Sequence, residues 1–175
     1  MENNPLSVMY AEHDVIMKAE KIIDNIDGLW EKDSATYIEI VDNLVLFFKE
    51  YADGYHHRKE EEVLFPAVYN HPDFVLQGII DEFEQHHESF RDYTQEIQEA
   101  LDNEEFPKSY NLLQEYCNDL LDHIAAENEE LFVLAENLLS ENELETIFFK
   151  FKDIDMELGE ARKVELEKSI ENILV

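Results

Sequence analysis

The chain has 175 residues, a formal net charge of -30 and a pI near 4.3, so nucleic acid and anionic membrane surfaces are repelled and are set aside as partners. Its 45% hydrophobic content suffices for one ordinary core, and only 4 Gly and 4 Pro among abundant Glu, Leu, Ile and Phe favour helices. A single cysteine, Cys117, excludes an intramolecular disulfide. With an N-terminal segment lacking a basic region and apolar run, and no stretch of about 18 uncharged apolar residues, the expectation is a cytoplasmic protein.

Taken in order, Leu6, Met9, Ile16 and Ile23 mark an apolar stripe on a first helix from about residue 6 to 30, with His13 on the same stripe. Gly28 and Asp33-Ser34 punctuate the chain before a second helix from about 35 to 69. Its inward face reads Val45, Phe48, Ala52, His56, Glu60, Val63 and Ala67. Pro66 removes a backbone donor, so a bend or early end is expected near Glu62 to Pro66. Asn70 to Asp73 is a turn, with His71 an exposed loop residue. The third helix, about 74 to 101, aligns Leu76, Ile80, Phe83, His87, Phe90, Thr94, Ile97 and Leu101, which puts His87 inward and His86 at the periphery.

A turn over Asp102 to Pro107 precedes the fourth helix, about 108 to 139, whose inward face reads Leu112, Tyr116, Leu120, His123, Glu127, Leu131, Leu134 and Leu138. Cys117 on this helix is a small buried residue. Ser140 to Glu143 is a capping box opening a further helical stretch with Phe148, Phe151 and Ile154, a break at Gly159, and Val164, Ile170 and Leu174 beyond it. Short turns make neighbours antiparallel, so the expected fold is all-α: an up-down-up-down four-helix bundle over residues 1–140 with a C-terminal helical extension, 141–175, packing on the bundle or a partner.

One pattern occurs twice. Aligning Leu64-Phe65 with Leu131-Phe132 places His56 over His123 and Glu60 over Glu127, so each copy is His-x-x-x-Glu before an apolar anchor. Residues four apart share a helix face. At 1.5 Å per residue from the connecting turns, His13, His56, His87 and His123 fall within about two helical turns of one another along the bundle. Buried carboxylates need a counter-charge, and the inner stripes carry no Lys or Arg, so a metal is the simplest one. Six or more N and O ligands without thiolate suit two iron or manganese ions, with carboxylates spanning them.

The pattern His13, His56-x-x-x-Glu60, His87, His123-x-x-x-Glu127 resembles that of hemerythrin-like (HHE cation-binding) proteins, over about residues 6 to 155. YADGYHHRKEEEVLFPAV and LLDHIAAENEELFVLA look especially like prokaryotic hemerythrin-domain proteins. The resemblance implies a non-haem centre of two Fe ions, oxo- or hydroxo-bridged, with Glu60 and Glu127 as carboxylate bridges and the histidines as terminal ligands; Mn or Zn are possible substitutes. Oxygen-carrying hemerythrins have a fifth histidine one turn after the third-helix ligand, where this chain has Arg91. In some relatives the residue after the first histidine of the second helix is itself a ligand; here that is His57, either a ligand or a residue outside the coordination sphere beside Glu61.

The expected function is binding of, or reaction with, O2, nitric oxide or peroxide in sensing, storage or stress defence, by a ligand-binding protein rather than a dedicated enzyme. A homodimer through the C-terminal helix is a further expectation. Two other readings stay open: a ferritin-like iron-handling or oxidase protein, although those use Glu-x-x-His at spacing three, and a metal-free acidic interaction module. Tyr116, Tyr55 and Glu61 are the candidates for orienting the imidazoles through their other ring nitrogen.

Overall fold

The computed structural model describes residues 3–173, and these contain helices and no strand. Four long helices enclose the core. Helix α1 spans residues 5–25, with a break at Met17; α2 spans 34–69; α3 is Gln77–Asp102; and α4 spans 106–138. Two more follow, α5 (Glu141–Leu158) and α6 (Glu160–Ile173). Short connections reverse the chain between successive long helices, which gives the antiparallel bundle expected from the sequence.

Local chemistry fixes the ends. Asn4 accepts a hydrogen bond from the Leu6 amide with Pro5 in the first turn of α1, and Asp33 accepts from the Thr36 amide ahead of α2. The first helix stops at Asn25, short of Trp30, because Gly28 adopts φ +65 and starts a single separate turn, Leu29–Lys32. Ser140 and Glu143 form the expected capping box, and Gly159, at φ +82, ends α5.

The apolar stripes form the core, with three corrections, the first being that on α2 the expected Ala67 is only partly buried while Val68 is buried. Leu76 precedes α3 and is exposed, while Phe74 is buried in its place. On α4 the buried residues include Leu113 and Ala135, with Leu139 buried just past its end, and the expected Leu112, Leu134 and Leu138 are only partly buried. The cause of the later shift is a widened turn at Glu127–Leu131, where π-helical hydrogen bonding replaces α and moves the inward face by one residue. The same happens at Phe48–His57 and Glu60–Leu64 on α2. Pro66, which cannot donate a backbone hydrogen bond, opens the last α-helical stretch, so the expected disruption takes the form of wide turns just before it.

The C-terminal helices pack on their own bundle: α5 lies against α1 and the π-helical part of α2, and α6 against α1 and α2. Phe151, Ile154, Leu166 and Ile170 are buried there, whereas Phe148 and Val164 are partly covered and Leu174 lies outside the described residues. Among the described residues no helix is long and apolar enough to cross a membrane. Cys117 is buried, and burial pushes its thiol up to about 12.

Candidate metal centre

All seven candidate ligands meet in the middle of the bundle, in two adjoining groups. His57, His87 and His123 present ligand atoms within 4.8 Å of one another, and so do His13, His56, Glu60 and Glu127. The wide turn Phe48–His57 explains how two consecutive residues can both be buried and inward: His56 joins the second group and His57 the first. His57 stacks on His87 with ring centroids 3.8 Å apart.

The two carboxylates link the groups. Glu60 directs Oε1 toward His56 Nε2 at 3.7 Å and Oε2 toward His87 Nε2 at 3.5 Å. Glu127 directs Oε1 toward His123 Nε2 at 3.2 Å and Oε2 toward His13 Nε2 at 3.3 Å. Each thus offers one oxygen to each group. All four oxygens are buried without a hydrogen-bond partner, and their ion-pair distances are to histidines, not to lysine or arginine. Orphaned carboxylates in a dry site are costly unless a cation meets them.

The opposite edges of the imidazoles are already held. His13 Nδ1 donates to Asn128 Oδ1 at 2.8 Å, His56 Nδ1 to Glu12 Oε2 at 3.0 Å, and His87 Nδ1 to Glu61 Oε1 at 2.8 Å. His123 Nδ1 meets His86 Nδ1 at 3.2 Å, and His57 Nδ1 faces Asp53 Oδ1 at 3.5 Å. A proton fixed on Nδ1 leaves the Nε2 lone pair for a metal. His87 Nε2 and His123 Nε2 approach to 3.1 Å.

The charge balance agrees. Burial lowers His56 to about 4 and His87 to about 3, and lowers His57 too, so these rings are neutral and fit to coordinate at ordinary pH. Burial and the charge of Glu127 raise Glu60 well above the usual carboxylate range. Burial pushes Glu127 the same way, but His123 and His13 draw it well below. The two neighbouring carboxyls are thus pushed in opposite directions. Burial alone would raise Glu12, yet its hydrogen bond to His56 and the Lys59 ammonium bring it below its ordinary value.

Of the candidates for orienting the rings, Glu61 does hold His87, while Tyr116 packs against Phe48 and Phe90 and the Tyr55 hydroxyl donates to Asp155 Oδ1. Sequence reading missed Glu12, Asp53 and Asn128. Asp53, four residues before His57, had a usable spacing signal; Glu12 and Asn128, beside His13 and Glu127, read as ordinary surface polar residues. It also missed Lys59, which is fully buried but pairs with Glu12 and Asp155 rather than with the bridging carboxylates. His86, at the periphery as expected, supports His123. Arg91 reaches both Asp53 and Glu61 at 2.7 Å and so ties together the groups behind His57 and His87. His71 is a loop residue as expected but half-buried rather than exposed, accepting the Asp73 amide, and it takes no part in the cluster.

Five imidazoles around two spanning carboxylates, sealed inside a helical bundle, define a cation-binding bundle protein. The hemerythrin HHE cation binding domain matches residues 4–135, and the chain belongs to that family. No curated protein and no solved structure matched it. A ferritin-like arrangement has no support, since each His–Glu pair is at spacing four and α1 and α3 contribute histidines.

Proposed function

We propose that the chain is a non-haem di-iron protein that binds or reacts with O2, nitric oxide or peroxide. The observation that carries this is the division of each carboxylate, one oxygen toward His57, His87 and His123 and the other toward His13 and His56. Imidazole and carboxylate donors without thiolate suit iron, and a pair of ions spanned by two carboxylates is the arrangement this donor set favours. When bound, two ferrous ions supply the electrons for reduction or reversible binding of a small oxidant.

The protein's own part is to hold, orient and exclude. His57, His87 and His123 would hold one ion and His13 and His56 the other, with the carboxylates of Glu60 and Glu127 serving both. The His13–His56 group has one imidazole fewer, which would leave room for a small molecule on that side. Phe132 stacks on His13 at 5.3 Å, Phe65 on His87 at 5.6 Å, and Phe83 and Phe90 press on His123 at 5.3 and 5.2 Å. These rings keep bulk water from the centre, which strengthens every charge interaction inside it. An apolar wall with few free donors suits a neutral diatomic or peroxide better than a bulky or charged substrate.

The test is metal content per chain by plasma mass spectrometry with an absorption spectrum of the same sample, before and after O2, nitric oxide and peroxide. Two irons with the bands of an oxo-bridged diferric centre, perturbed by one of these ligands, are expected. A chain that takes up no iron even after anaerobic ferrous reconstitution overturns the reading.

A further inference from the structure

Lys59 is the least expected buried group in the molecule. A fully buried lysine is rare unless paired. Its ammonium donates to Glu12 Oε1, lies 2.7 Å from Asp155 Oδ1, and sits 3.7 Å from the centroid of the Tyr55 ring. Glu12 spends its other oxygen on His56 Nδ1. Asp155 comes from α5, beyond the segment that the family covers, and also accepts from Tyr55 and Lys152, each at 2.7 Å. The result is a continuous chain, His56–Glu12–Lys59–Asp155. One carboxylate would be enough to neutralise a buried lysine; here two compete for it, and one of them holds an imidazole of the centre.

We propose that Lys59 and Asp155 are positioning residues that set how much negative charge Glu12 presents to His56, making helix α5 an electrostatic part of the two-histidine metal position. The more charge Glu12 keeps, the more strongly it pulls on the Nδ1 proton and the more electron density His56 gives through Nε2. Lys59 draws charge off Glu12, and Asp155 draws Lys59 away from Glu12. The two therefore act on His56 with opposite sign. The Asp155 end of the chain opens on a cleft of about 420 Å³ bordered by Glu12, Tyr51, Lys152, Lys163 and Glu167, so the network meets solvent there.

The metal part of this inference rests on the di-iron reading; the hydrogen-bond part does not. The experiment uses full-length Lys59→Met and Asp155→Asn, each close in shape to the native residue, with Asp155→Glu as the conservative rescue. In the metal-free protein, ring 15N NMR should show His56 with its proton on Nδ1, and its Nδ1 resonance should shift in opposite directions in the two variants. The ring of His87, held by Glu61, should stay in place. In the iron-loaded protein the midpoint potential should fall in Lys59→Met and rise in Asp155→Asn, returning toward wild type in Asp155→Glu. Shifts of the same sign in both variants, or an unmoved His56 resonance in folded Asp155→Asn, overturn the proposal. Asp155→Asn is decisive by itself if Lys59→Met fails to fold, because Asp155 is partly exposed. A wild-type chain that takes no iron sinks the di-iron reading, whereas the NMR comparison still decides this one.

Discussion

His87 Nε2 stands 3.1 Å from His123 Nε2 while the Nδ1 edges of both rings are engaged elsewhere. His87 donates from Nδ1 to Glu61 and so turns a lone pair at Nε2 toward His123, which a metal ion would satisfy. Saturating metal should therefore raise thermal stability by mass action, roughly 2.7 kcal/mol at a hundredfold excess over Kd. Calorimetry with and without chelator should show this increment, and His123→Ala should abolish it. An increment that survives in His123→Ala would place the stabilising metal elsewhere.

Glu60 and Glu127 should separate metal binding from packing. Glu60→Ala and Glu127→Ala are expected to lose metal and, in metal-replete solution, to be less stable than the parent. Glu60→Gln should lose metal too, yet its metal-free form should equal or exceed the parent, because a buried carboxyl raised by burial and by Glu127 is replaced by a neutral amide. His71→Ala should alter neither property. Full metal occupancy in both alanine variants would remove the bridging roles.

His57 and His86 test ligand against support. His57→Ala should lower metal content at the three-histidine position. His86→Ala, which removes only the contact to His123 Nδ1, should keep the stoichiometry and weaken affinity by roughly 10–100-fold. Equal stoichiometric loss in both variants would contradict the distinction.

Arg91 occupies the place of a further histidine and braces Asp53 and Glu61 together. Since its side chain is 33% exposed, solvent weakens the brace, and Arg91→Ala should cost about tenfold in metal affinity, at the low end for groups that orient ligands. Arg91→Lys should recover only part, because an ammonium lacks the fork that spans two carboxylates. Competition titration with a chromophoric chelator measures both.

Acid should destabilise the metal-free protein. His56, at about 4, and His87, at about 3, are held below their ordinary 6.5, and His57 is lowered as well. The unfolded chain therefore binds protons that the folded one refuses as pH falls from about 6.5 toward 4, and stability drops through that window by up to about 1.4 kcal/mol per unit for each such histidine. Glu60, raised in the fold, acts in the opposite sense, but as one group against three. Urea unfolding at a series of pH values should show stability falling with acid, and a flat profile from 6.5 to 4 would contradict the buried, neutral state of these rings.

Much of the site is legible in the sequence because its ligands sit on otherwise apolar stripes. Glu60 and Glu127 stand out as carboxylates among Val63, Leu131 and their neighbours, and the repeat of His-x-x-x-Glu fixes which of His56 and His57 pairs with Glu60. What stands behind the ligands is harder to read. Lys59 lies within HHRKEEE and Glu12 within YAEHD, where charged residues pass for a solvated surface; only the arrival of α5 over that face buries them. The inward list fails at Leu134 and Leu138 because a fixed helical period has no provision for a turn that gains a residue, and the wide turns also decide that His57 joins the cluster.

Those wide turns make the composition of the centre depend on chain length as well as on residue identity. Within Phe48–His57 each backbone hydrogen bond spans one residue more than in an α-helix, and that surplus lets neighbours in sequence join different ligand groups. Removing a single residue between Phe48 and Tyr55 would let the helix close to ordinary α geometry and rotate one histidine out of the cluster. The number of imidazoles in each group can thus change by an insertion or deletion of one codon, with every candidate ligand's codon intact.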